Sequence, residues 1–262
     1  MSKAAQRISN QAGYVLHSWR WSESSLILEA FTRSFGRIAL LAKGARRPSS
    51  NFRPVLLPMQ PLLLTWGGSA EIRTLKGVEW GGGHIMPAGG ALLAGYYAGE
   101  VLLRALPRED PAPRLFDAYA ALLAHLAAPD AGRRAPTAAA LRAFELILLR
   151  EAGQLPALDT QTLTLTPLIA AAAYTLVPEN GLRAASCDEE NHLPGAHWQA
   201  LETALAADAP FTTTLHTIAS LGAAIRPLHA LLRQSLQHYC GAAMHTPRLV
   251  REAKALASPE QP

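Results

Sequence analysis

At 262 residues, 49% hydrophobic and 17% charged, the chain has the composition of a globular protein able to bury its own core; its two cysteines, Cys187 and Cys240, make no disulfide framework and fit a reducing, cytoplasmic setting. The net charge of +4 hides an asymmetry: residues 1–82 hold eleven Lys/Arg against four Asp/Glu, net +7, and residues 83–262 hold thirteen against sixteen, net −3. Basicity gathered in this way points to a polyanionic partner for the first third, or else to a solvated basic face.

The first third reads as β. Residues 14–21, 25–33, 36–44, 60–68 and 70–77 are short runs rich in Val, Ile, Leu, Thr and aromatics, separated by Gly, Pro or Ser. Alternation places Val15, His17, Trp19 and Trp21 on one face of the first strand and Tyr14, Leu16, Ser18 and Arg20 on the other. Five strands in some 80 residues predict a small closed or nearly closed barrel. After the glycine-rich stretch 80–90 the pattern turns helical, with apolar positions at Leu92, Tyr96, Gly99 and Leu103, and again at Leu115, Tyr119, Leu122 and Leu126. A third helix has Thr137 as N-cap, Leu141, Phe144 and Leu148 on one stripe, and Gly153 as its stop.

Residues 155–195 interrupt the helices with Thr/Leu alternation at 162–166 and a hairpin signal at Asn180-Gly181, a small insert. The uncharged stretch 160–178 contains five threonines and two prolines, too polar and interrupted to span a membrane, and the N-terminus lacks the uncharged core of a signal peptide. Helices resume near 196, and a last one opens at Thr246 as N-cap with Pro247 in its first turn.

No phosphate-binding loop, G-x-S-x-G elbow, H-E-x-x-H or dinucleotide fingerprint is present. The Gly81–His84 run has no partnering nucleophile motif and reads as a connector. No enzyme and no cofactor are expected. Cys187, His192 and His197 could in principle ligate zinc, but structural zinc sites use ligand pairs two to four residues apart, so a surface loop with incidental histidines is the expectation. His17 and His125 read as packed or capping residues. Trp19, Trp21, Trp66 and Trp80 gather in the β third, where they serve either a barrel core or base stacking beside cations.

The sharpest local feature is residues 40–54, LLAKGARRPSSNFRP. Four cations and a glycine follow a strand directly, at a place where OB-type barrels meet oligonucleotides. Gly44 permits a tight turn, Arg46 and Arg47 offer planar forks for phosphate oxygens, Lys43 supplies a point charge, and the Pro-Ser-Ser-Asn stretch is expected to adapt to a ligand.

Residues 13–50 resemble the N-terminal barrel of the bacterial RecO recombination mediators, through "WSESSL" at Trp21–Leu26 and "KGAR" at Lys43–Arg46. The similarity continues through "QPLLLTWGG" and "EIRTLKGVE", into the helix "LRAFELILLREAGQLP" at 141–156, and to "TPRLVRE", where Arg248 matches a family arginine. The resemblance implies an α+β, multidomain protein: an N-terminal OB-fold barrel over 1–82, then an α-helical domain over 83–262 with a small degenerate zinc-finger-like insert at about 155–195. Four cysteines bind zinc in that insert in some members; one remains here.

It further implies binding of single- and double-stranded DNA, strand annealing, contact with the C-terminal tail of single-strand-binding protein, and work with RecR to load RecA onto coated strands, near the nucleoid. Lys43, Arg46, Arg47 and Arg53, with Arg37, Arg73 and Lys76, are the candidate DNA contacts. Arg142, Phe144 and Leu148 are the candidate tail acceptor, an arginine for the terminal carboxylate beside an apolar pocket. A different class stays open: an OB-fold nucleic-acid-processing enzyme or RNA-binding factor whose active site is too dispersed to recognise.

Overall fold

The five β-rich runs become five strands whose pairing order fixes the architecture. A computed structural model describes residues 7–83, 86–128, 135–241 and 245–246. Strands β1 (Arg7–Arg20), β2 (Leu26–Thr32), β3 (Gly36–Ala42), β4 (Leu62–Gly67) and β5 (Ile72–Trp80) close into a barrel in the order β1-β2-β3-β5-β4. Neighbours are antiparallel except β3 and β5, which are parallel. This is the five-stranded Greek-key barrel of an OB-fold.

The alternation expected along the first strand fails at Leu16. The β1–β2 register runs Val15↔Ala30 and then His17↔Glu29, so Leu16 is the extra residue of a bulge, and one extra residue exchanges the two faces. Val15 therefore enters the barrel core with Leu28, Leu64 and Trp66, whereas His17 and Trp19 share the outer face with Tyr14. Of the barrel's four tryptophans only Trp66 is buried; Trp19, Trp21 and Trp80 are exposed.

Helices α1 (Gly89–Ala105) and α2 (Pro113–Ala127) belong to the same compact unit as the barrel. Tyr14 and Phe31, opposite each other on the outer face, meet Phe116 of α2 at ring-centroid distances of 5.4 Å each, and Tyr14 meets Tyr119 edge-on at 5.2 Å. Burial pushes the Tyr14 hydroxyl up to about 12, so this aromatic seam stays uncharged. The buried side of α1 is made of Ala91, Ala94, Ala98, Val101 and Leu102, and Tyr96 of the expected apolar stripe faces solvent. Small residues win that side because close approach needs them: a Cβ on Gly95 would lie 2.2 Å from the Met59 sulfur.

Thr246, expected as an N-cap, is itself helical, and its amide and hydroxyl are held by a side chain of α1. The Glu100 carboxylate accepts hydrogen bonds from the His245 and Thr246 amides at 2.6 and 2.8 Å and from the Thr246 hydroxyl at 2.7 Å, three donors on one anion. Desolvation pulls the Glu100 carboxyl upward, but these bonds and Arg104 together hold it below its ordinary value. Residues 247–262, with Arg248, lie outside the described residues, as does His84.

The second compact unit holds α3 (Thr137–Glu151), a small sheet of β6 (Ala173–Val177), β7 (Gly181–Ala184) and β8 (Leu193–Pro194), and helices α4 (Gly195–Leu205), α5 (Pro210–Ser220) and α6 (Ile225–Cys240). Pro136, not Thr137, occupies the N-cap of α3, and Gly153 ends the helix with φ +69°. Asn180-Gly181 does mark a hairpin, although Gly181 already pairs with Val177, so the connection has three residues. The Thr/Leu alternation makes no strand: a single bridge joins Thr160 to Pro167, and Leu165 turns the chain at φ +55°. The insert is anchored through Trp198 Nε1 to the Tyr174 carbonyl at 3.1 Å and Gln199 Nε2 to the Leu168 carbonyl at 3.0 Å. The Arg150 fork on Glu202, at 2.6 and 3.0 Å, ties α3 to α4, and Glu202 also takes the Leu158 amide at 2.8 Å.

Candidate nucleic-acid interface

The loop after β3 and the turn between β1 and β2 form one structure. Gly44 adopts φ +70°, a left-handed turn that favours glycine. The Arg46 amide donates to the Ser24 carbonyl at 2.9 Å, and Arg46 Nη1 donates to the Ser22 and Glu23 carbonyls, both at 2.9 Å. The loop runs through a series of tight turns from Lys43 to Val55, and Ala45 and Leu56 sit in the barrel core. The stretch expected to adapt to a ligand is thus pinned at both ends by buried side chains.

The candidate cations divide by what already holds them. Lys43, Arg47 and Arg53 are exposed on this loop, and Lys76 is exposed at the bulge of β5 between Leu75 and Gly77. No carboxylate among the described residues pairs with any of these four. Arg46 is half-buried and staples the turn to the loop. Arg37 and Arg73 are bound within the protein: Arg37 donates to the Leu106 carbonyl at 2.9 Å and to Glu29 at 3.1 Å, and Arg73 donates to Glu109 at 2.7 Å. Both arginines stitch the segment between α1 and α2 onto the barrel. Exposed Trp19 and Trp21, which the sequence left undecided between core and surface, lead into the same turn.

The family model described as Recombination protein O N terminal matches residues 6–83, and that described as Recombination protein O C terminal matches residues 87–248. The chain belongs to the RecO family. DNA repair protein RecO of Variovorax paradoxus is 59% identical over 256 residues, covering 97% of this chain and 99% of its own. The RecO proteins of Polaromonas sp. (strain JS666) and Verminephrobacter eiseniae are 51% and 52% identical, each across 97% of this chain and 100% and 99% of their own lengths. RecO proteins are thereby the setting for the barrel just described, and recombinational DNA repair is the process this chain serves.

The helical unit of this RecO chain places the expected tail acceptor differently. Phe144 and Leu148 are fully buried, on a helix that packs against α5 and α6. Arg142 is 6% exposed, with Nη2 2.5 Å from Glu145 Oε1, and its Nε finds no hydrogen-bond partner among the described residues. His229 of α6 is pushed down to about 4 by partial burial and then by the charges of Arg142 and Arg233, so its imidazole is neutral near pH 7 and the two arginines are the cations beside it.

In the RecO insert Cys187 is exposed, Glu189 is held by the Arg183 fork at 2.6 and 3.0 Å, and His192 Nδ1 lies 2.7 Å from the Glu189 carbonyl oxygen. Among the described residues no three His, Cys, Asp or Glu side chains gather to hold a metal ion, Cys187, His192 and His197 included. No helix among them is long and apolar enough to cross a membrane.

Proposed function

We propose that this chain is a recombination mediator that binds single- and double-stranded DNA through its barrel, anneals complementary strands, and helps RecR load RecA onto strands coated with single-strand-binding protein. The observation that carries this is the set of exposed cations free of carboxylate partners, Lys43, Arg47, Arg53 and Lys76, on the barrel of a RecO-family chain. Phosphate neutralisation by such groups lowers the repulsion between two strands and is independent of base sequence. The mechanism is positional: the barrel holds one strand while the helical unit engages the protein coat, and no bond is made or broken. Four phosphate contacts predict a plot of log affinity against log salt with slope near −2.8, at about 0.7 per single-strand contact. Annealing of complementary oligonucleotides, bare and coated, is expected to rise with the protein and to fade in step with that slope. Salt-independent binding, or none, together with no annealing, would overturn the reading.

For the coat contact, the acceptor we favour is the rim around exposed Arg233, with the neutral His229 and the buried Arg142–Glu145 pair behind it, rather than the buried Phe144 and Leu148. Arg233 is exposed, so Arg233→Ala tests the rim without opening the core. An acidic peptide ending in an aromatic residue with a free carboxylate is expected to bind this variant about two- to fivefold more weakly, the scale of one exposed ion pair. Unchanged peptide affinity at low salt would remove the rim from the mechanism.

A further inference from the structure

We propose that the open end of the outer face of β1, β2 and β3 is a stacking platform for unpaired bases, with Trp19 and Trp21 as its rings, and that this platform makes the barrel discriminate a single strand from a duplex. The proposal rests on the DNA-binding reading above and adds the base as a recognised group. It starts from a gradient along that face. Residues directly opposite in paired strands share a face, so register defines three outward rows: Tyr14–Phe31–Arg37, His17–Glu29–Ala39 and Trp19–Ile27–Leu41. The first row packs under α2 through Tyr14 and Phe31. The second has Glu29 sealed by Arg37 and Arg108. The third is open: Trp19 is 45% exposed and Ile27 and Leu41 are half-buried, and the row runs on to Thr74 of β5.

A lone exposed tryptophan is ordinary, but this one ends an apolar row spanning three strands and is itself braced. The His17 ring meets the Trp19 indole edge-on at 4.5 Å and 68°, which limits the indole's freedom before any ligand arrives. Trp21, 63% exposed, stands at the head of the turn closed by its amide on the Ser25 carbonyl at 3.2 Å. Arg46 fastens that turn to the loop bearing Arg47, and Lys43 follows Leu41 by two residues. Aromatic faces and unpaired cations therefore sit on one stapled pair of connections, the combination a single strand requires: rings for bases, cations for phosphates. In a duplex both faces of each base are covered by neighbouring pairs, so the phosphate contacts remain available and the stacking does not.

The test compares the full chain with Trp19→Ala, Trp19→Leu and Trp19→Phe on three fluorescent probes: a mixed-sequence single strand, a single strand of the same length with abasic sites, and a hairpin duplex. Trp19→Ala and Trp19→Leu are expected to lose roughly 5- to 150-fold in affinity for the normal single strand, with the salt slope and the duplex affinity unchanged, and Trp19→Phe to recover most of the loss. On the abasic strand parent and variants should be equal. Trp19→Leu keeps an apolar side chain opposite Ile27, so a loss there is not a folding defect. Parent-like single-strand binding by both Trp19→Ala and Trp19→Leu overturns the platform, as does an equal loss on all three probes. If the parent itself binds none of the probes in a salt-dependent way, the underlying DNA-binding reading fails instead.

Discussion

Glu29→Ala is expected to lower the unfolding free energy by about 3 kcal/mol, among the largest effects of any single substitution in the barrel. Glu29 lies on the outer face with a side chain only 1% exposed, and each carboxylate oxygen takes a different arginine: Oε2 accepts from Arg37 Nη1 at 3.1 Å and Oε1 from Arg108 Nη2. The network extends outward through Arg108 to Glu71 at 2.5 Å, and the same segment adds Arg73 to Glu109 at 2.7 Å and the Glu109 amide to the Arg37 carbonyl at 2.9 Å. Removing the central carboxylate leaves two guanidinium groups facing each other without an intervening charge. Breaking one partner of a buried pair costs roughly 3–5 kcal/mol, and the lower end applies because Arg108 keeps 36% of its side chain in water.

The same network predicts a rescue. Replacing Glu29, Arg37 and Arg108 together by apolar residues of similar volume removes the uncompensated charges along with the carboxylate, so most of the loss should return. Urea unfolding of the single and triple variants decides it. A Glu29→Ala variant within about 0.5 kcal/mol of the parent, the range of a plain surface change, would show that the carboxylate is no keystone.

Much of the fold is legible in the sequence, for reasons that differ by element. The strands declare themselves because branched and aromatic residues alternate between glycine and proline breaks, and α2 buries its Leu115, Tyr119, Leu122 and Leu126 stripe as the spacing implies, widened by Phe116 and Leu123. The bulge at Leu16 is invisible: an unpaired residue leaves the composition unchanged and inverts every later side chain, which is why Trp19 emerges on the outer face with Tyr14 instead of joining Val15. The α1 face misleads because large residues catch the eye while close packing selects alanine and glycine.

At the candidate interface the type of residue is readable and its engagement is not. Arg37 and Arg73 look like Lys43 and Arg47 in a charge count, yet their carboxylate partners, Glu29 and Glu109, come from another strand and from beyond α1. Phe144 and Leu148 carry the opposite ambiguity, since a core ridge and an apolar receptor groove have one and the same spacing. Only the packing around them decides, and here both side chains are fully buried in a helix that packs against α5 and α6.

Those distinctions lead to the sharpest functional expectation, a separation of two arginine and lysine classes in one titration. Lys43→Ala with Arg47→Ala should flatten the plot of log affinity against log salt by about 1.4 on single-stranded DNA, two contacts at about 0.7 each. The loss should be similar for every sequence, because phosphates carry no base information. Stability should hardly move, since both side chains are exposed and hold no carboxylate among the described residues. Arg37→Ala with Arg73→Ala should do the reverse, leaving the slope of the folded protein near the parent's and lowering its resistance to urea, because those guanidinium groups are spent on Glu29, the Leu106 carbonyl and Glu109. Annealing should follow the first pair and not the second. A slope unchanged by the Lys43 and Arg47 substitutions, in a variant that melts like the parent, would reduce the loop to a solvated basic surface; a slope that falls with Arg37 and Arg73 instead would mean that DNA pulls those arginines out of their ion pairs.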